Sequence, residues 1–168
     1  MKTKLLVILL ISISLSFIAC SEDSVTEAVI GTNTLTLSDD MDASFNTVAI
    51  ASISNNDSTS TFEIEISPVV GETAPDGILA FGNNSGSILP VGTYPITYDS
   101  ESSTGTYSIY IGGDDIYLMN NGELKITASS ATSISGTYDV SGNPWDFISV
   151  DSLRTLNAKG SFTAIIMQ

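Results

Sequence analysis

Apolar and polar residues alternate with a period of two along much of this chain. Thr61-Phe62-Glu63-Ile64-Glu65-Ile66 puts Phe62, Ile64 and Ile66 on one face and both glutamates on the other. Glu123-Leu124-Lys125-Ile126-Thr127-Ala128 repeats the pattern, with Leu124, Ile126 and Ala128 inward. Tyr107, Ile109 and Ile111 share one face of a third strand. Such alternation is the signature of half-buried β-strands, because successive side chains leave a strand on opposite sides. Val48 to Ile53 and Ser161 to Met167 are apolar on both faces, which suits strands covered on both sides. Leu35 and Leu37 alternate with threonines and mark a first edge strand, ended by a turn at Asp39-Asp40-Met41-Asp42.

Turn chemistry falls between these runs. Asn55–Ser58, Gly82–Gly86, Gly112–Asp115, Asn120–Gly122 and Ser141–Pro144 are rich in Gly, Asn, Asp and Pro, the residues that tolerate or impose turn dihedrals. Asn121-Gly122, flanked by apolar strands, has the strongest hairpin chemistry. Gly-Thr-Tyr recurs at Gly92, Gly105 and Gly136, each time opening a strand, with no fixed period. No window carries sustained helical periodicity, and Ser149 to Leu156 could make one helical turn. Eight to ten short strands predict an all-β domain, an antiparallel β-sandwich or a β-barrel-like closure.

The N-terminus follows different rules. Lys2 and Lys4 precede an apolar run from Leu5 to Ile18, interrupted only by serines, with Ala19 and Cys20 next. The run is short for a membrane span of about 20 residues and has the layout of a secretory signal. Phe17-Ile18-Ala19-Cys20 resembles the lipobox of bacterial lipoproteins, with Phe17 where leucine is usual. That resemblance implies cleavage before Cys20, a diacylglyceryl group on its thiol and acylation of the new amine. Several acyl chains anchor stably where one binds only marginally. Ser21 is not the aspartate that resembles an inner-membrane retention signal, which implies outer-membrane sorting. The acidic pair Glu22-Asp23 resembles a surface-export tag, which would put the domain on the cell exterior. The expected organisation is a signal over residues 1–19, a lipid-anchored acidic tether over 20–43 and an all-β domain over 44–168.

Charge narrows the partners. Nineteen Asp and Glu face only Lys125, Arg154 and Lys159 beyond the signal, a net −16. Such a surface repels nucleic acid and favours solubility, cations and basic partners. One cysteine and no histidine rule out an internal disulfide, Cys/His zinc sites and His-dependent catalytic triads. No cofactor is implied.

A second resemblance covers residues 45–168. Gly122-Glu123-Leu124-Lys125-Ile126-Thr127, Ile134-Ser135-Gly136-Thr137-Tyr138 and Lys159-Gly160-Ser161-Phe162 look like the C-terminal half of a group of small β-rich lipoproteins of Gram-negative bacteria. The group brings no activity or site residues with it.

Candidate sites remain. Asp40-x-Asp42-x-Ser44 starts like a calcium loop, but Phe45 stands where glycine is needed and Ala51 where the bidentate glutamate should be. Asp114 and Asp115, at a Gly-Gly turn, are weak calcium candidates, with plain turn chemistry as the alternative. Trp145 after Pro144, with Tyr98, Tyr110 and Tyr117, could stack on sugar rings; ordinary strand packing is the other reading. Asp23-Ser24-Val25, Asp57-Ser58-Thr59 and Asp151-Ser152-Leu153 resemble an O-glycosylation tripeptide. No pair among the acids stands out for glycoside hydrolysis. The expectation is a lipid-anchored envelope protein with a structural or binding role, without catalysis. Its partners would be the membrane through Cys20 and a glycan or protein. A carbohydrate-binding module or a barrel holding a small apolar ligand are the alternatives.

Overall fold

The computed structural model describes residues 33–56, 59–69, 77–97, 105–112, 115–145 and 154–167. Nine strands follow in chain order: β1 (Thr34–Asp39), β2 (Ala43–Asn56), β3 (Thr59–Pro68), β4 (Gly77–Asn83), β5 (Gly92–Pro95), β6 (Thr106–Gly112), β7 (Asp115–Ser129), β8 (Ser133–Pro144) and β9 (Leu156–Met167). The expected all-β domain is therefore a closed barrel. Its eight staves are β1, β2, β3, β4, β6, β7, β8 and β9, and the β7–β8 pairing completes the ring. Neighbours are antiparallel except where β9 meets β2 in parallel over Ala49–Ser52 and Ala164–Met167. β5 pairs with β7 from Glu123 to Ile126, on the edge that β6 occupies up to Met119.

Period-two alternation sends one face of every stave inward. Phe62, Ile64, Ile66, Leu124 and Ile126 are buried as expected, and Glu65 is exposed. The interior is filled by large side chains, with Tyr110, Tyr117, Phe62, Phe81 and Met119 essentially inaccessible. β1 lies within the stretch read as tether, yet it is a stave held by β2 on one side and β9 on the other. It is not an edge strand, and the domain starts at least as early as Asn33.

Three local readings change. Asn121-Gly122 is not a hairpin: β7 runs through it as one strand with a register shift between Met119 and Asn121. Gly122 has φ +105°, and an added Cβ would stand 2.1 Å from the Asp139 carbonyl oxygen. The bulge itself is at Asn120, where β7 exchanges β6 for β5, and the positive φ of Gly122 follows it within the same strand. Ser141–Pro144 likewise continues β8 instead of turning. A second bulge between Ile126 and Ala128 reverses the phase, so Ala128 is exposed, not inward. The turns expected at Asn55–Ser58 and Gly112–Asp115 do fall at hairpins, where the Asn56/Thr59 and Gly112/Asp115 pairings close the β2–β3 and β6–β7 ladders, and Ser129–Ser133 joins β7 to β8. The helical turn read at Ser149–Leu156 lies mostly outside the described residues; Leu156 itself opens β9.

The outside of the barrel has two characters. Across β7, β8, β9 and β1 the outward residues form two polar rows. One is Glu123, Asp139, Lys159 and Thr36; the other is Lys125, Thr137, Ser161 and Thr34. Near Ile50 and Ile165 on β2 and β9, and again across β4 and β6, the outward residues are largely aliphatic, with the outward Glu63 and Glu65 of β3 between the two patches. Val48, Ile50, Ile165, Met167, Ile78 and Ile111 are each at least 40% exposed. The shared face of Tyr107, Ile109 and Ile111 belongs to this outer wall, while Thr106, Ser108 and Tyr110 point inward.

Candidate functional site

Two places concentrate polar chemistry. The first closes one end of the barrel. Asp40 sits in the β1–β2 turn, Asp115 opens β7, Tyr117 points inward two residues later, and Arg154 stands two residues before the start of β9. Arg154 Nε and Nη2 approach Asp40 Oδ2 at 2.8 and 2.6 Å, and Nη2 reaches Asp115 Oδ2 at 2.8 Å. Nη2 also donates to the Tyr117 hydroxyl at 3.0 Å, and that hydroxyl donates to Asp40 Oδ2. Backbone bonds support the side chains: Asp40 N–H donates to Thr155 O at 3.0 Å, and Asn143 Nδ2 donates to Arg154 O at 2.8 Å.

Electrostatics follow from this geometry. Hydrogen bonds from Arg154 and then from Tyr117 hold the Asp40 carboxyl below its ordinary value. Burial, and then the hydrogen bond to Asp40, push the Tyr117 phenol far up, so it stays protonated. Each charged group is matched, so the cluster is a latch joining three chain connections. It is not a poised acid or base.

The second place is the polar wall, where a groove of about 650 Å³ runs between the two rows. Lys159 Nζ donates to Asp139 Oδ2 at 2.8 Å. Thr34, Thr36, Thr137 and Ser161 contribute hydroxyls, and Lys125 a second cation. Two of the three cations beyond the signal thus lie on one wall of an otherwise acidic chain. Tyr138, beneath the groove, points its ring inward and donates its hydroxyl to Thr34 O at 2.8 Å.

The residues singled out from sequence are scattered. Trp145 is exposed beyond β8, and its backbone N–H donates to Ile116 O at 2.6 Å. Tyr110 and Tyr117 are fully buried, 6.2 Å apart between ring centres, inside the end that Arg154 closes. They cannot belong to an exposed stacking platform, because their strand phase turns them into the barrel. Tyr98, Asp114, Cys20 and the three glycosylation-like tripeptides lie outside the described residues, apart from Thr59. Asp115 is engaged by Arg154, and among the described residues no group of three or more acidic or cysteine side chains is placed to hold a metal. Glu63 and Glu65 share the outer face of β3, where burial and then Glu65 raise the Glu63 carboxyl above its ordinary value.

Sequence reasoning missed the latch and the groove. Both are made by residues distant in the chain, and the sole available signal was the scarcity of cations. No family model matches this chain, and no curated protein or solved structure matches it either.

Proposed function

We propose that this chain is an envelope lipoprotein, tethered through acylated Cys20, whose barrel has a structural or binding role exercised on its outer surface. The observation that carries the reading is the filled interior. Phe62, Phe81, Tyr110, Tyr117, Tyr138 and Met119 occupy the space in which a ligand-carrying barrel holds its ligand. A small apolar ligand inside therefore has less support than an external partner. The polar groove favours a hydroxyl-rich partner, and a glycan is the second reading. Its hydroxyls, two lysines and two carboxylates match the donor and acceptor pattern of a sugar. Catalysis has no support in the latch, whose charged groups are all engaged with one another.

The experiment is fractionation of a Gram-negative host expressing the full chain or Cys20→Ala, followed by glycan-array binding of the purified protein. The proposal expects wild type in the outer membrane and Cys20→Ala outside it. It also expects any glycan signal to fall in Lys125→Ala and Thr137→Ala. Identical fractionation of the two forms refutes the anchor. A glycan signal indifferent to both wall variants refutes the groove as the sugar site.

A further inference from the structure

The point where the described chain begins is unusual for a barrel. β1 separates β2 from β9 for six residues, from Thr34 to Asp39. Beyond its start the two flanking strands close on each other, pairing Ala49 with Ala164 and Ile50 with Ile165. Asn33 fills the apex of that wedge. Its carbonyl accepts from Thr47 N–H at 3.0 Å. Its side chain takes over the ladder on the other side, with Oδ1 accepting from Thr163 N–H at 2.7 Å and Nδ2 donating to Thr163 O at 3.3 Å. Past Asn33 the wall is therefore closed between β2 and β9. The inner side is occupied by Phe162, Ala164, Ala49 and Thr47, all buried. The side left open to the preceding residues is the outer one.

That opening has a direction. β1 is antiparallel to β2 and to this half of β9. The line of β1, extended past Asn33 toward the N-terminus, points the way β2 and β9 run forward. Along that line lies the seam whose outward residues are Val48 and Ile50 on β2 and Ile165 and Met167 on β9, exposed by 40 to 55%. Extended chains advance about 3.3 Å per residue, so an extended segment along that line would be level, three residues before Asn33, with the position three residues after Thr47. The first position is Ile30 and the second is Ile50, paired with Ile165. Val29-Ile30 is the one pair of adjacent large aliphatics between Cys20 and Asn33.

We propose that Val29-Ile30 folds back onto the outer β2–β9 seam and covers Ile50 and Ile165. The seam then serves as the docking site of the chain's own tether. The length of chain left between the anchor and the seam is then that of residues 20–28, which sets how far the barrel stands from its anchor. The docking does not depend on what the polar wall binds; its consequence for the anchor rests on the proposed lipidation of Cys20.

Hydrogen–deuterium exchange on the full chain, held in nanodiscs so that no detergent competes for the seam, tests this. Exchange at Val29–Gly31 should be slower than at Glu22–Thr26 by on the order of 10-fold, independently of protein concentration. Ile50→Ser and Ile165→Ser change exposed side chains and should leave barrel protection intact while abolishing the difference. Equal exchange in both stretches of the wild type overturns the proposal. So does protection that survives both variants. Protection that fades on dilution would assign the seam to a second copy of the chain and also overturn it.

Discussion

Tyr138 on β8 lies directly opposite Gly160 on β9, and its ring occupies the space where a Gly160 side chain would be. An added Cβ would stand 1.8 Å from Thr34 O and 2.5 Å from the Tyr138 hydroxyl oxygen. The Tyr138 hydroxyl itself reaches past Gly160 to Thr34 O. One aromatic ring thus spans three staves, β8, β9 and β1. Phe162 opposite Gly136 is built the same way in the neighbouring layer, with its ring about 3 Å from the position of an added Cβ. Glycines facing aromatics across a ladder let the wall curve tightly without leaving a void.

Gly160→Ala should therefore be severely destabilising, by about 3 kcal/mol or more, because the clash is with backbone and cannot be relieved by a rotamer. Tyr138→Phe keeps the ring and loses one hydrogen bond, and should cost about 1 kcal/mol. Urea unfolding of both variants measures this. A smaller loss for Gly160→Ala than for Tyr138→Phe would contradict the packing described.

The boundary of the domain gives a second prediction. A chain starting at residue 45 lacks β1, so the first halves of β2 and β9 lose the ladder between them. It should fail to unfold cooperatively, whereas a chain starting at Thr32 should give a sharp β-type transition. Circular dichroism during thermal melting separates the two. Equal melting temperatures would show that β1 is dispensable.

These two cases show what the sequence makes legible. Phe62, Ile64 and Ile66 alternate with glutamates, so their phase could be read directly. Leu124 and Ile126 are equally clear, but Ala128 is not, because the bulge after Ile126 shifts the phase without any change in composition. Asn121-Gly122 has hairpin chemistry, yet the same positive φ here follows a bulge inside a strand. Nothing local distinguishes the two, since the choice depends on whether β5 is there to take over the edge of β7. The latch was illegible for a related reason: Asp40 and Arg154 are 114 residues apart in the chain.

The latch should show in the acid limb of stability. Asp40 has its carboxyl pKa lowered in the folded state, chiefly by Arg154. Its contribution is therefore complete above the ordinary value of 3.8 and lost as pH falls through the lowered one. Wild type should be more stable than Asp40→Asn at pH 6, and the gap should narrow as pH falls below 3.8. Melting temperature against pH checks this. A gap that persists unchanged at acid pH would mean that Asp40 acts through packing and not through charge.

The alkaline limb belongs to the buried tyrosines. Burial raises the phenols of Tyr110, Tyr117 and Tyr138 above the ordinary value of 10. The stability they confer is present below pH 10 and is lost as pH rises toward the raised values. Ionisation of these three, followed by near-ultraviolet absorbance, should coincide with loss of the β-type circular dichroism spectrum. Smooth titration of all six tyrosines around pH 10 in a still-folded protein would contradict their burial.

The account rests most heavily on Cys20 as the membrane anchor, and intact mass spectrometry of protein extracted from the envelope of a Gram-negative host addresses it directly. The expected mass is that of residues 20–168 plus a diacylglyceryl group and a further acyl chain, with the modification mapping to Cys20. A mature chain that begins elsewhere, or that begins at Cys20 with a free thiol and amine, would contradict it.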